Sequence, residues 1–305
     1  MFQGSERYLK KIIILLVILG GIYLYQHFDV FHNTGGNDIH ANPVNLSIQG
    51  EAGVLMDEDN GSILYAKNEN KRLYPASTTK IVTAVVALDK GNLNDQVQVG
   101  NEVNLKTRDE STAGLKQGDV IPLKILLRAM LLPSGNDAAR TIAIYIAKKD
   151  SGNSNMSPEE GIRYFAGLMN QKAKELGATH SHFVNPHGLH DPRHYSTAKD
   201  LAIIAREARK NPVFREIVSE ETYKDASFTF YNRNELVNRS SSNFFQGADG
   251  IKTGFTDQAG HCLVSSATRD GKNLISVVLH SSKEGVYTDS TALLNYGFHR
   301  EYASK

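Results

Sequence analysis

The sequence is poor in residues that form covalent cross-links, and neither sign of charge dominates. It has one cysteine, Cys262, and no tryptophan among 305 residues. A single cysteine excludes an intrachain disulfide and a cysteine-based metal cluster. The 34 basic and 33 acidic residues give a formal net charge of +1, so the chain has no basic excess with which to hold a nucleic acid. The hydrophobic share of 40% is typical of an ordinary globular protein.

The longest apolar run lies near the N-terminus, at residues 12–25, after Arg7, Lys10 and Lys11. A positive flank before an apolar run directs the following chain out of the cytoplasm. No small-residue cleavage pattern follows, which favours an uncleaved single-pass anchor over a cleaved signal and a secreted protein. The sequence therefore predicts a cytoplasmic basic stub at 1–11, a membrane anchor or signal segment at 12–28, a linker at 29–44 and a folded domain at 45–305 outside the cytoplasm.

Strand-like patterns lie near both ends of this domain, and helical patterns lie between them. Asn60-Gly61 and Asp270-Gly271 each separate two apolar runs, which is typical of β-hairpins. Helical periodicity covers residues 122–132, 138–148, 158–176, 197–208 and 286–298. This order predicts a mixed α/β (α+β) fold, in which one antiparallel sheet is assembled from both ends of the chain and flanked by helices, with a helical insertion.

Ser77 and Lys80 are three residues apart at the start of a predicted buried helix, which Pro75 opens. Residues i and i+3 share a helix face, so the Lys80 amine can reach the Ser77 hydroxyl. The apolar run after Lys80 would bury the amine, and burial favours the neutral form, which is a usable general base. Taken alone, the pattern is more often an N-capping serine and a surface lysine.

Two further motifs carry polar side chains in suitable places. Ser134 and Asn136 lie in a break between two apolar helices, where they can face a cleft, although they can also be simple helix punctuation. Lys252 and Thr253 lie in a strand-like run, where a lysine adds positive potential and a threonine hydroxyl can meet a carboxylate. Gly254 follows them, and its lack of a side chain lets a substrate backbone approach the strand.

The order Ser-x-x-Lys, Ser-x-Asn, Lys-Thr-Gly is the triplet of penicillin-binding proteins and class A β-lactamases. Four segments make the chain resemble the D-alanyl-D-alanine carboxypeptidase family, the low-molecular-mass penicillin-binding proteins of bacterial cell-wall synthesis: residues 131–139, 183–189, 194–198 and 249–254. The resemblance covers about residues 45–300. It implies a serine β-lactamase/DD-peptidase fold, no metal or other cofactor, a peptidoglycan stem peptide ending in D-Ala-D-Ala as substrate, and β-lactams as covalent inhibitors.

Each motif residue then has an expected role in a serine DD-carboxypeptidase. Ser77 is the nucleophile, Lys80 the base, Ser134 a proton relay and Asn136 the group that positions the substrate amide. The expected substrate-binding residues are Lys252, Thr253, Gly254, Phe255 and Arg239. Among them Phe255 would supply an oxyanion N–H. Arg239 would anchor the substrate carboxylate, because residues 283–286, at the start of the closing helix, lack the arginine that family members can place there.

Four alternatives stay open at this point. A β-lactamase needs a base for deacylation, and its Glu-x-x-Leu-Asn pattern is absent between Asn136 and Lys252. A DD-endopeptidase stays possible, because the preference for carboxypeptidase cleavage depends on which residue anchors the substrate's terminal carboxylate. A zinc peptidase could use the histidines of residues 180–194, but these lie in a Pro/Gly-broken stretch without an H-E-x-x-H motif. A penicillin-binding sensor would need a cytoplasmic output domain, for which residues 1–11 leave no room, so we expect an enzyme attached through its N-terminal segment.

Overall fold

The computed structural model describes residues 46–108 and 110–300, so the predicted stub, anchor and linker lie outside the described residues. In chain order the elements are β1 (Ala52–Asp57), β2 (Ile63–Lys67), α1 (Lys80–Lys90), β3 (Gln96–Gln98), β4 (Val120–Pro122), α2 (Leu123–Leu131), α3 (Asn136–Ser151), α4 (Pro158–Glu175), α5 (Ala198–Lys210), α6 (Pro212–Ser219), β5 (Thr222–Lys224), β6 (Thr229–Tyr231), β7 (Ala248–Thr256), β8 (Gly260–Arg269), β9 (Lys272–Ser281) and α7 (Gly285–His299). Within the described ranges, no helix is long and apolar enough to span a bilayer.

Both ends of the described chain supply strands to one antiparallel sheet, in the order β2-β1-β9-β8-β7. The two predicted hairpins are confirmed, since β1 pairs with β2 and β8 with β9. Gly61 and Gly271 occupy their turns at φ of +80° and +76°, a region that glycine enters without steric cost. The predicted mixed α/β architecture with a helical insertion is therefore confirmed.

The sheet separates two hydrophobic cores because alternate side chains of a strand point to opposite faces. Val54 and Val277 belong to the larger core, which contains α1 and α5. Leu55 and Val278 belong to the smaller one, with Leu293 of α7. The sheet is thus covered by helices on both faces.

Helix α1 lies inside the larger core and packs against α2, α3, α4 and α5. Every residue from Lys80 to Ala87 is buried, as expected for a helix that is apolar around its whole circumference. The first residue of this helix is a lysine, so the core packing of α1 carries a primary amine into the protein interior.

Two predicted helix starts need correction, and one helix was not predicted. The helix expected to open at Pro75 begins at Lys80, after a 3-10 turn over Ala76–Thr79. Helix α3 begins at Asn136 rather than residue 138, because the backbone N–H of Asn136 is already satisfied by the Ser111 carbonyl at 2.8 Å. Helix α6 was not predicted, although the Asn211 side chain caps it by accepting the backbone N–H of Val213.

Candidate active site

The Lys80 amine is fully buried and contacts three oxygen atoms. Its Nζ lies 3.0 Å from Ser77 Oγ, 2.6 Å from Asn136 Oδ1 and 2.9 Å from the His187 carbonyl oxygen. A neutral amine has two N–H groups and one lone pair. The two carbonyl oxygens of Asn136 and His187 accept the N–H groups, which leaves the lone pair for the Ser77 hydroxyl proton.

The surroundings of Lys80 favour that neutral form. Burial, and then the charge of Lys252, hold the pKa of Lys80 well below its ordinary value of 10.5, with smaller lowering by Arg140 and Arg233 and an opposing contribution from Glu110. Burial and the charge of Arg233 also lower the pKa of Lys252 to about 7. The lowered pKa of Lys80 favours its neutral form, which is the form that can act as a base.

Ser77, the expected nucleophile, lies at a tight contact between the turn before α1 and strand β7. Ala76 is held at φ of +47°, an uncommon conformation for a residue with a Cβ. On the strand side, a Cβ at Gly254 would lie 2.9 Å from the Ser77 backbone nitrogen and 3.0 Å from the Pro75 carbonyl oxygen. The glycine of the Lys-Thr-Gly motif is therefore required for β7 to approach Ser77.

Ser134 and Asn136 are placed by the break between α2 and α3. Ser134 is buried at φ of +67°, and strained backbone of this kind is concentrated at functional sites. The Gly135 N–H donates to the Ala129 carbonyl at 3.0 Å, which turns the chain sharply between the two helices. As a result Ser134 and Asn136 line the same cleft as Ser77.

The cleft has a volume of about 690 Å³. It is lined by six of the residues expected from the sequence: Ser77, Ser134, Asn136, Thr253, Gly254 and Phe255. Lys80 and Lys252 are buried, and Lys252 Nζ donates to the Thr253 carbonyl at 3.0 Å. The Phe255 ring is half exposed and lies 4.5 Å from the ring of His261. Eight of the nine predicted site residues therefore meet in one region.

Arg239 is the exception. Its side chain is 84% exposed, its Nε is 3.6 Å from the Glu221 carboxylate, and it is not among the residues that line the cleft. Arg233 lines the cleft instead, and its Nη1 donates to Ser111 Oγ at 2.7 Å. Both arginines lie in the same irregular stretch before β7, and nothing in their sequence spacing distinguishes them.

The segment of residues 185–189 supports Lys80, a role that the sequence alone did not reveal. The Asn185 side chain accepts the backbone N–H groups of His187 and Gly188 at 3.2 and 2.7 Å, an Asx turn that fixes the local backbone. Thr83 of α1 donates to the Pro186 carbonyl at 2.7 Å. These bonds hold the His187 carbonyl oxygen against the Lys80 amine.

The histidines of this region make local contacts. His194 Nε2 is 2.8 Å from Thr79 Oγ1, and its Nδ1 accepts the Val184 N–H at 3.2 Å. Burial lowers the pKa of His194 to about 3. In the part of the chain that the structure describes, no group of three or more potential ligands is arranged to hold a metal ion.

Comparison with known proteins places this site in a family. The family model described as D-alanyl-D-alanine carboxypeptidase matches residues 38–283. The chain is 36% identical over 247 residues to D-alanyl-D-alanine carboxypeptidase DacF of Bacillus subtilis, covering 78% of this chain and 59% of that protein. It is 35% identical over 268 residues to D-alanyl-D-alanine carboxypeptidase DacC of Escherichia coli, covering 83% of this chain and 62% of that protein. The chain thus spans about three fifths of the length of these two relatives.

The fold is also similar to a solved structure, the Streptomyces K15 DD-transpeptidase. The TM-score is 0.74 at 33% identity, and the match covers 84% of this chain and 99% of that one. Together with the family match, this shows that the chain belongs to the D-alanyl-D-alanine carboxypeptidase family and has the DD-peptidase fold.

Replacing Gly188 by alanine tests the support of Lys80. Gly188 has φ of +86°, and a Cβ there would lie 1.8 Å from the Ala76 carbonyl oxygen, whereas a Cβ at Gly177, at φ of +83°, would enter open space. Both changes impose a similar backbone strain, but only Gly188→Ala must displace the Ser77 turn or the His187 carbonyl. We expect its rate of acylation by benzylpenicillin to fall about 100-fold, and that of Gly177→Ala to stay near wild type. Equal rates in the two folded variants would contradict this account.

Proposed function

We propose that the protein is a serine-type D-Ala-D-Ala carboxypeptidase. It removes the terminal D-alanine from peptidoglycan stem peptides through an acyl-enzyme, and β-lactams acylate the same serine. The observation that carries the proposal is the buried Lys80 amine, 3.0 Å from Ser77 Oγ, with two carbonyl oxygens occupying its other contacts. Membership of the carboxypeptidase family supports the choice of substrate.

Acylation would proceed through two proton transfers. Ser77 Oγ attacks the carbonyl carbon between the two D-alanines, its proton passes to the Lys80 lone pair, and the carbonyl electrons move onto oxygen. The N–H groups of Ser77 and Phe255 would stabilise this oxyanion. When the oxyanion collapses, the C–N bond breaks and the departing D-alanine amine takes a proton from the Lys80 ammonium, with the Ser134 hydroxyl as relay. Asn136 would hold the substrate amide in place.

Deacylation would reuse the same groups. Water adds to the ester carbonyl and gives its proton to the Lys80 amine. The ester bond to Ser77 Oγ then breaks, and Oγ recovers a proton from the Lys80 ammonium. The shortened peptide is released as a carboxylic acid that gives its proton to water, and the enzyme returns to its starting state; no step requires a metal ion.

Arg233 is the proposed anchor for the substrate's terminal carboxylate, in place of Arg239. Arg233 lines the cleft, and its Nη1 donates a hydrogen bond to Ser111 Oγ. Since a guanidinium has five N–H donors, this one bond does not use them all. A cation at this position favours a peptide that ends in a free carboxylate. It therefore supports carboxypeptidase over endopeptidase cleavage.

Glu110 is relevant to the β-lactamase alternative, because that activity needs a base for deacylation. It is a glutamate beside the site, although it is not part of a Glu-x-x-Leu-Asn pattern. Its two carboxylate oxygens accept the two terminal N–H groups of Arg140, each at 2.7 Å. Burial acts to raise the pKa of the Glu110 carboxyl, but the hydrogen bonds and the charge of Arg140 contribute to a pKa below the ordinary value. A carboxylate so engaged is a weak base, which supports slow rather than efficient hydrolysis of a penicillin adduct.

Transpeptidation is a second candidate, favoured by the structural similarity to the Streptomyces K15 DD-transpeptidase. In that reaction an amine replaces water in attacking the acyl-enzyme. Incubating the protein with a D-Ala-D-Ala peptide and an excess of glycine separates the two activities. A dominant product shortened by its terminal D-alanine supports the carboxypeptidase. A dominant product in which glycine replaces the terminal D-alanine would indicate a transpeptidase.

We also propose that the domain acts outside the cytoplasm and is attached to the membrane through residues 12–28. The basic flank formed by Arg7, Lys10 and Lys11 before the apolar run supports this orientation. Protease added to intact protoplasts should digest the domain. Protection of the domain until lysis would contradict the proposal.

Ser77→Ala and Lys80→Ala test the chemistry directly. We expect both variants to stay folded and to lose D-alanine release from a stem pentapeptide by at least about 10³-fold, because a nucleophile and its base act as a unit. D-alanine is measured by coupled oxidation, and folding by circular dichroism. Substantial release by Ser77→Ala would disprove the nucleophile assignment, and normal acylation of Lys80→Ala would mean that another group is the base.

Arg233→Gln and Arg239→Gln form a matched pair from the same loop. Loss of a charge-assisted bond to the terminal carboxylate should lower kcat/KM for a D-Ala-D-Ala peptide by about 10- to 100-fold in Arg233→Gln. The exposed Arg239 should tolerate the change within about twofold. The reverse order of effects would restore Arg239 as the anchor.

A further inference from the structure

A buried ion pair involves Arg140, one helical turn from the Asn136 that contacts the proposed base, and it takes no part in the mechanism above. Arg140 Nη1 and Nη2 donate to Glu110 Oε1 and Oε2, both at 2.7 Å, and the two side chains are only 3% and 1% exposed. Burying two charges costs solvation energy that their attraction does not always return. A pair kept in this position therefore calls for a functional explanation.

The pair joins two elements that hold the active site together. Arg140 lies one helical turn after Asn136 on α3, and Asn136 contacts Lys80. Glu110 directly precedes Ser111, whose carbonyl accepts the Asn136 N–H at 2.8 Å and whose hydroxyl accepts from Arg233 at 2.7 Å. Glu110 therefore fastens the Ser111 segment to α3, and its side chain is too buried to bind a substrate amine itself.

Fastening this segment with a carboxylate creates an electrostatic problem. The Glu110 charge acts to raise the pKa of Lys80, in opposition to burial and to Lys252. A carboxylate without a partner at this place would favour the Lys80 ammonium, which cannot accept the Ser77 proton. Arg140 supplies the opposite charge at hydrogen-bond distance.

We propose that Arg140 is a positioning residue that neutralises Glu110, so that Glu110 can fix the Ser111 segment without holding the Lys80 amine in its protonated form. The inference rests on the proposed role of Lys80 as the base. In this pair, the Arg140 charge prevents the structural carboxylate of Glu110 from favouring the protonated form of the Lys80 amine.

Other charged and titratable groups also surround Lys80, and the substitutions leave their side chains in place. Lys252 faces it from β7, and Arg233 from the loop before that strand. His187 faces it from the 185–189 segment, where burial and Arg140 hold the pKa of the ring well below its ordinary value. Arg140→Gln also removes a charge that acts on His187, whereas Glu110→Gln leaves that charge in place, so opposite shifts in these two variants report on the pair itself.

The test is the pH profile of benzylpenicillin acylation in three variants. The acylation rate falls as pH drops through the pKa of Lys80, because only the neutral amine is a base. This fall is the acidic limb of the profile. Arg140→Gln leaves the carboxylate uncompensated and should move this acidic limb to higher pH, by roughly one unit. Glu110→Gln leaves the guanidinium uncompensated and should move the limb to lower pH. The double variant should return to near the wild-type limb, with a lower rate if the Ser111 segment loosens.

A purely structural role would lower the rate in all three variants without opposite shifts of the limb. The control is Arg128→Gln/Glu220→Gln, which removes another largely buried bidentate pair, formed between α2 and the residue after α6. Its acidic limb should coincide with wild type. If Arg140→Gln does not fold, Glu110→Gln decides the question, since a glutamine keeps one acceptor for Arg140.

The outcomes distinguish this inference from the function on which it rests. A wild-type protein that is not acylated, or whose rate has no acidic limb, would overturn the proposed function itself. A wild-type protein that is acylated with an acidic limb, together with a Glu110→Gln limb at the wild-type position, would overturn only the role of the pair.

Discussion

The contact between the Lys80 amine and the Ser77 hydroxyl is the interaction on which the site depends. It requires an amine inside a hydrophobic core, and helix α1 provides this because it is apolar on every side and begins with Lys80. It also requires that the amine be neutral and directed. Asn136 from α3 and the His187 carbonyl from the 185–189 segment supply the two acceptors that direct its lone pair toward Ser77.

The site contains features that do not favour stability. Lys80 and Lys252 are both buried amines, and removing such groups from water is costly. Ala76 and Ser134 both have positive φ, which is uncommon for residues with a Cβ. These features meet at one cleft, as expected where a local structural preference has been given up for chemistry. The surrounding sheet and helices enclose two hydrophobic cores and supply the stability that such a site requires.

Local patterns in the sequence were enough to predict the sheet and its two hairpins, and eight of the nine residues proposed for the site lie together in the structure. The hairpins depend on local turn residues, and the grouping of the site residues was expected because three short motifs occur in the order that a known family has. The sequence did not indicate that Arg233 rather than Arg239 faces the cleft, because that depends on how an irregular loop packs. The Glu110–Arg140 pair was also missed, since its members are 30 residues apart and meet only in the folded chain.

The central claim is that Lys80 is an uncharged base in the resting protein. Nuclear magnetic resonance of isotope-labelled lysine side chains measures this directly, with Lys80 and Lys252 assigned through Lys80→Met and Lys252→Met. We expect the Lys80 resonance to titrate well below the ordinary lysine value of 10.5 and to report a neutral amine at neutral pH. A Lys80 side chain that remains an ammonium up to alkaline pH, in a protein that is still acylated, would contradict it.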